Sequence, residues 1–309
     1  MAAMKKTAPL PLIDGIKPSS LHLPCDKKLH GTLLLDFLCR RFPYIGREIW
    51  AGRLSDGHIF DEAGTPLAAD AAFRPGGTVY YYREAIAAEE EPVPFQEHIL
   101  HIDEHLIVAD KPHFLPVIPG GRFLRETLLT RLRLRPELQH LNPENFTPLH
   151  RLDKDTAGVI LFAHRPESRR AYQTLFQSRA VEKTYEALAP TRTDLAYPLH
   201  VRSRLERGEP FYLTRQAEGE ANSHTIIELA ENRGGHSLYR LRPVSGKKHQ
   251  LRVHMAALGM PLLNDPLYPD PQPADCTDYT RPLKLLARAI EFTDPFSGLK
   301  RRFESTRAL

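Results

Sequence analysis

The sequence predicts an α+β protein whose main sheet is largely antiparallel. Helical and β-prone segments follow one another without a regular βαβ alternation, which argues against a doubly wound parallel sheet. Three strand-like runs lie between residues 183 and 243. The 27 prolines among 309 residues favour many loops and argue against an all-helical fold.

The N-terminal part of the chain predicts a compact module of two helices and a hairpin. Apolar residues recur at helical spacing over 32–42, and Pro43 ends that helix. We expect a second short helix over 44–54 and a turn-rich hairpin over 55–67. A turn and a β-prone run over 75–82 complete the module.

The rest of the chain predicts a larger mixed domain. A strand that ends at Pro112 begins it, and a helix with a basic face is expected over 121–135. The other expected elements are strand 158–163, helix 166–180, strands 183–190, 223–230 and 236–243, helix 249–259 and strand 285–292. Gly259 is the expected C-terminal cap of the second-last of these.

The distribution of charge indicates where the domains meet. The net charge is only +4, but residues 93–309 carry 31 basic and 26 acidic side chains, and a glutamate run stands just before them. We predict a flexible tail over 1–18, a small module over 19–84, an acidic linker over 85–92 and the main domain over 93–309. Clustered arginines and lysines in the main domain can attract a polyanion such as RNA.

Composition excludes several classes of protein. Cys25, Cys39 and Cys276 are odd in number and widely scattered, so they offer neither a disulfide framework nor metal-ligand spacing. No apolar run is long enough to span a bilayer, and the N-terminus lacks the features of a secretory signal. We expect a cytoplasmic protein that contacts no membrane. The absence of heptads favours a monomer.

The first candidate for chemistry is the polar loop 150–158, which holds His150, Arg151, Asp153 and Asp155 before a buried strand. Two nearby carboxylates raise the alternative of glycosidase chemistry, but that chemistry needs the pair about 5–9 Å apart on opposite sides of a bond. In a purely structural interpretation, one of the aspartates caps a turn. The loop alone does not decide between these interpretations.

Two further segments carry polar groups of interest. Residues 245–254 open a helix with several hydrogen-bond donors, a place that attracts phosphate. His249 and His254 are five residues apart, not four, so they are not a metalloprotease zinc pair. An amphipathic surface helix explains the same pattern. Tyr185, in the strand-like run 183–188, is by itself as well explained by packing.

Taken together and in this order, the three segments resemble the signature segments of the RluA family of pseudouridine synthases. The resemblance covers residues 93–309, including 107–119 and 285–298. It implies conversion of uridine to pseudouridine in ribosomal or transfer RNA, without a cofactor or a metal. The family's fold is a mixed, mainly antiparallel sheet flanked by helices.

The resemblance also assigns roles to residues. Asp153 matches the essential aspartate, Tyr185 the tyrosine that stacks on the target base and is a candidate proton acceptor, and Arg252 the basic partner of the aspartate. Arg151 matches the arginine that helps to open the RNA. The residues expected to contact RNA are His150, Arg151, Lys247, Lys248, His249, Gln250, Arg122 and Arg125.

This sequence departs from the family pattern at Lys247–Lys248, Ala157 and Asn264, which affects backbone and RNA contacts rather than the proposed catalytic groups. Residues 19–84 resemble a small RNA-binding module of a small-subunit ribosomal protein, although their net charge is zero. An alternative function is a catalytically silent RNA-binding or ribosome-assembly factor with the same fold.

Overall fold

The computed structural model describes residues 10–83, 90–272 and 277–309. The start of the expected tail, residues 84–89 of the expected module and linker, and Cys276 lie outside these ranges. The chain forms two compact units. The first contains the residues up to Glu90 together with Pro119–Arg125, and the second contains Glu91–Ile118 and Glu126–Leu309.

The first unit packs two helices on a three-stranded antiparallel sheet. Its elements are β1 (Ser19–His22), α1 (Leu34–Arg41), α2 (Arg47–Ser55), β2 (Ile59–Phe60) and β3 (Thr78–Tyr81), and the strand order is β1-β3-β2. Trp50 is fully buried, and its ring lies 5.5 Å from that of Phe42 and 5.4 Å from that of Tyr81. Both helices predicted in this region are present.

The second unit is built around one sheet of eleven strands. Its helices are α3 (Leu128–Leu134), α4 (Pro166–Gln177) and α5 (Gln250–Ala257). Its strands are β4 (His98–Ile102), β5 (Leu106–Lys111), β6 (Thr147–Pro148), β7 (Ala157–Ala163), β8 (Val181–Pro190), β9 (Leu199–Arg207), β10 (Thr214–Ala217), β11 (Ser223–Asn232), β12 (His236–Pro243), β13 (Leu285–Thr293) and β14 (Lys300–Glu304).

The order of the strands confirms the predicted α+β class with a mainly antiparallel sheet. The main path runs β10-β9-β11-β12-β8-β13-β7-β5-β4, with β14 on β13 and β6 on β7. Only the pairing of β7 with β13 is parallel among the strands described. No helix in the described ranges is long and apolar enough to cross a membrane.

Strands β5 and β7 form the rigid centre of this unit because every residue in both is buried. Side chains alternate between the two faces of a strand. Ile107 and Ile160 accordingly join the largest apolar cluster, whereas Val108 and Leu161 join a separate cluster. A sheet covered on both faces supports the loop that enters β7.

The prediction of a helix over 121–135 is wrong for its first half, because α3 spans only Leu128–Leu134. The backbone N–H groups of Leu128 and Leu129 donate to the carbonyls of Pro116 and Val117 instead of to a preceding helical turn. The Thr127 side chain then accepts from the N–H of Thr130 and caps the new helix.

Candidate active site

The three segments singled out in the sequence meet at a cavity of about 480 Å³ in the second unit. They contribute the loop before β7, the first half of β8 and the start of α5. Phe176, in the last turn of α4, and Arg179, two residues after its end, also line the cavity. Residues that are more than 30 positions apart in the chain therefore share one site, as a catalytic centre requires.

The loop that carries Asp153 is fixed by the close approach of β7 to β13. Gly158 pairs with Ala287, and a Cβ atom at Gly158 would lie 2.2 Å from the Ala287 carbonyl oxygen. Its φ of +114° also favours glycine. The fully buried Lys111 adds a second restraint, because its Nζ donates to the Lys154 carbonyl at 3.0 Å. The Asp153 side chain is mostly buried, with 16% of its surface exposed.

Arg252 reaches the same point from α5, but its closest partner is not Asp153. Its Nε and Nη2 donate to the two oxygens of Asp265 at 2.9 and 2.5 Å. Its Nη1 lies 3.6 Å from Asp153 Oδ2. Burial opposes the charge, but the hydrogen bonds and the charge of Asp265, followed by the charge of Asp153, raise the pKa of Arg252.

Asp265 is the residue that reasoning from the sequence missed. Its side chain is fully buried, and its Oδ1 also accepts from the backbone N–H groups of Leu267 and Tyr268 at 2.8 and 3.2 Å. The sequence draws attention only to its neighbour Asn264, as a departure from the family pattern. A buried carboxylate with this many donors holds the guanidinium in one orientation.

Tyr185 lines the cavity from β8 and is 9% exposed. Its position is set by pairing with Leu241 of β12 and Ala287 of β13. Burial, and then the charge of Asp153, raise the pKa of Tyr185. The hydroxyl group therefore stays protonated, and the neutral ring is available to stack on a flat ligand.

His249 places a second ring beside Asp153, with its Nε2 3.9 Å from Asp153 Oδ1. Its Nδ1 lies 2.8 Å from the Tyr268 hydroxyl, which accepts from the Thr214 N–H at 2.8 Å. The buried phenol finds an acceptor for its own proton if it donates to Nδ1, so we assign the proton of His249 to Nε2. Burial lowers the pKa of His249 to about 4, although the charge of Asp153 opposes this shift.

The other residues expected to contact RNA differ in what they already bind. The ring of His150 stacks on Phe176, and its Nε2 accepts from the Leu161 N–H at 3.1 Å. Both ends of the Gln250 amide are engaged: Oε1 accepts from Ser245 Oγ and Nε2 donates to the His224 carbonyl. These two side chains hold the walls of the cavity.

The cationic side chains near the cavity are more open. Arg151 is 61% exposed, with its Nη2 3.7 Å from Asp153 Oδ1. Lys247 is exposed at the rim, and Lys248 next to it is half-buried. The remaining two candidates belong to the first unit, where the Arg122 guanidinium lies 5.3 Å from the Phe123 ring centre and Arg125 pairs with Asp14 at 2.9 Å.

Comparisons with known proteins agree on one family. A family model described as RNA pseudouridylate synthase matches residues 105–257, which include Asp153, Tyr185 and Arg252. Ribosomal large subunit pseudouridine synthase D of Nitrosomonas europaea is 33% identical over 217 residues, which cover 68% of this chain and 61% of that protein. The mitochondrial tRNA pseudouridine(32) synthase of Saccharomyces cerevisiae is 28% identical over 79% of this chain and 50% of its own length.

An uncharacterized RNA pseudouridine synthase of Synechocystis is 29% identical over 79% of this chain and 82% of its own length. The chain thus spans most of this relative, but only about half to three fifths of the other two. Among solved structures, human RNA pseudouridylate synthase domain containing 4 superposes with a TM-score of 0.54 at 25% identity, over 68% of this chain and 88% of that one. Over residues 105–257, close to half of its length, the chain matches the family of RNA pseudouridylate synthases.

Proposed function

We propose that this protein isomerises specific uridines to pseudouridine in RNA, as an RluA-type enzyme whose active site is the cavity around Asp153. One observation carries the proposal. Asp153, Tyr185 and Arg252, from three separate segments, line the same cavity, and Arg252 Nη1 stands 3.6 Å from the Asp153 carboxylate. The relatives named for ribosomal and transfer RNA support these two RNAs as the substrate class.

The reaction moves the uracil from one attachment to another on the same sugar. The bond between N1 and the anomeric carbon breaks, the base turns, and carbon five bonds to the anomeric carbon. The proton on carbon five leaves and N1 takes up a proton, so the product is an isomer of the substrate. Asp153 acts either as a nucleophile at the anomeric carbon or as a base on the neighbouring sugar proton. Either step needs an ionised carboxylate, and Arg252 supplies the opposite charge next to it.

The target base has to leave its stack before it can reach Asp153. Extrusion of a base costs a few kcal/mol. Stacking on an aromatic ring returns roughly 1–3 kcal/mol per base. We assign that role to Tyr185, since its pKa is raised and its neutral ring faces the cavity. Arg151, exposed beside Asp153, is placed to occupy the space that the extruded nucleotide leaves.

The proposal is tested by the release of the proton on carbon five. RNA from cells that lack this protein, grown on uridine tritiated at carbon five, contains the unmodified target whatever its sequence. The wild-type protein should release tritium from this RNA, and Asp153→Asn should release none. The unfolding temperature of this variant should equal that of the wild-type protein. Asp278→Asn, at an exposed position, is the matched control and should retain full activity. Undiminished release by Asp153→Asn would refute the assignment of Asp153.

A map of pseudouridines in the same deletion strain identifies the target. A site that is lost in the deletion strain and restored by the wild-type gene, but not by Asp153→Asn, names the RNA and the uridine. The alternative function, a silent RNA-binding or assembly factor, predicts that no site is lost. We also propose that residues 19–84 contribute to RNA binding, and deletion of that segment tests this by its effect on KM.

A further inference from the structure

Lys183 is a cationic side chain inside the cavity that the roles assigned above do not use. It lies on β8, two residues before Tyr185. Side chains alternate along a strand, so residues 181, 183 and 185 share one face. All three line the cavity. Two residues advance about 7 Å along a strand, so Lys183 lies about 7 Å from Tyr185 along β8. This distance is similar to the spacing of neighbouring nucleotides in an extended RNA strand.

The ammonium group of Lys183 lacks a protein partner among the residues that the structure describes. Within residues 10–83, 90–272 and 277–309 it makes neither a hydrogen bond nor an ion pair. A Cβ atom added at Gly246 would lie 3.9 Å from Nζ. Burial, and then the charge of Lys183, lower the pKa of His150 to about 3, so this neighbouring ring stays neutral. Burial lowers the pKa of Lys183 as well.

A second lysine shows how this fold satisfies a buried ammonium group without a ligand. Lys111 is fully buried, and its Nζ donates to three carbonyl oxygens, those of Pro112, Leu115 and Lys154, at 2.8–3.0 Å. Lys183 makes no such contacts within the described ranges, is only partly buried and lines the cavity. This position leaves its partly desolvated ammonium group open to an anionic or strongly polar ligand, which offsets the cost of its desolvation.

We propose that Lys183 binds a phosphate group next to the target nucleotide and so fixes the sugar over Asp153. This inference rests on the proposed function and adds a residue to it. The sugar that reacts at Asp153 carries a phosphate on each side, so the RNA backbone must leave the reacting centre within one nucleotide. Lysine acts as a compact point charge with three donors, which suits a phosphate oxygen. Gly246 presents no side chain between Nζ and the backbone that would pass there.

The test separates RNA binding from chemistry with the tritiated RNA of the deletion strain. For Lys183→Met we expect KM to rise about ten- to hundredfold, since a charged hydrogen bond is lost, while kcat stays within about threefold. The slope of log KM against log salt concentration should fall by about 0.7–0.9, because each phosphate contact contributes about that much to the slope. Lys183→Arg keeps the charge and should preserve the wild-type slope.

Controls make each outcome decisive. Lys300→Met removes an exposed lysine from β14, outside the cavity lining, and should leave kcat, KM and the salt slope unchanged. Lys183→Met should unfold at or above the wild-type temperature, because it removes a partly buried charge that has no partner among the described residues. A fall in kcat with an unchanged salt slope would overturn the proposal in favour of contact with the base. Release of no tritium by the wild-type protein would instead refute the proposed function itself.

Discussion

Asp265 holds Arg252 in a buried ion pair, with two hydrogen bonds between its carboxylate and the guanidinium group. The third nitrogen of that guanidinium faces Asp153 at 3.6 Å. One cation therefore stands between two carboxylates, and the buried one fixes its orientation. We therefore expect Asp265 to act through Arg252, as a positioning residue for the chemistry proposed at Asp153.

Replacement of Asp265 should damage both stability and turnover. Asp265→Asn leaves the buried guanidinium with a single carboxylate, so we expect the free energy of unfolding to fall by about 3 kcal/mol. A displaced Arg252 should lower kcat about 100-fold with little change in KM. Urea unfolding and tritium release measure the two effects. Glu231→Gln, which breaks an exposed pair with Arg233, should cost less than about 0.5 kcal/mol and leave kcat unchanged. A wild-type kcat for Asp265→Asn would contradict this role.

The hydroxyl group of Tyr268 determines the tautomer of His249. Tyr268→Phe leaves both His249 Nδ1 and the Thr214 N–H without their partner, so we expect a loss of about 1–3 kcal/mol in stability. Nitrogen NMR of the wild-type protein should show His249 protonated at Nε2, and the variant should show a mixture of tautomers. Tyr44→Phe, at a largely exposed ring, is the control and should change neither. A wild-type protein already mixed at His249 would refute the assignment.

The success of the sequence-based prediction depended on how local each signal is. Helix α4 begins at Pro166 and buries Tyr172, which is the pattern that residues three and four apart predict. Strand β9 is missing from the prediction although Leu199, Val201 and Leu205 alternate with polar residues along it, since Ser203 interrupts this apolar face. Its pairing with β10 and β11 in the sheet makes the strand evident.

The ion pair of Arg252 with Asp265 illustrates the same limit in the site. The two residues are 13 positions apart, and the chain between α5 and Asp265 is irregular, so no periodicity relates them. The resemblance to a family predicted a partner for Arg252 and named Asp153, which the structure places second in distance. Tertiary packing determines which carboxylate is buried against a guanidinium group. The spacing of charged residues along the sequence does not predict that burial.

Buried histidines should make the stability of the second unit depend on pH. Burial lowers the pKa values of His113, His249 and His254 to about 4, against about 6.5 in an unfolded chain. Between pH 4 and 6.5 the unfolded state binds more protons, so stability is complete above about pH 6.5 and falls as the pH drops towards 4. Each histidine contributes up to about 1.4 kcal/mol per pH unit in that window.

Urea unfolding at a series of pH values checks this expectation. His254 is fully buried and hydrogen-bonds to Thr225 through Nδ1. His254→Gln should reduce the slope of stability against pH between 4 and 6.5 by up to about 1.4 kcal/mol per unit, whatever its effect at pH 7. His140→Gln, at an exposed position, should keep the wild-type slope. An unchanged slope in His254→Gln would show that this ring takes up no extra proton on unfolding.

At Gly158 we expect a single added methyl group to lower both the stability and the kcat of the protein. Its φ of +114° strains any other residue, and a Cβ atom would lie 2.2 Å from the Ala287 carbonyl oxygen, which is backbone and cannot swing away. Gly158→Ala must push β7 from β13 and move the loop of Asp153. We expect a loss of at least 3 kcal/mol in stability and, in any folded fraction, a fall in kcat larger than the rise in KM.

Gly235→Ala, where an added Cβ meets nothing within 4 Å, should change stability by less than about 0.5 kcal/mol. Equal behaviour of the two alanine variants would mean that β7 and β13 tolerate separation, and that this glycine does not fix the loop.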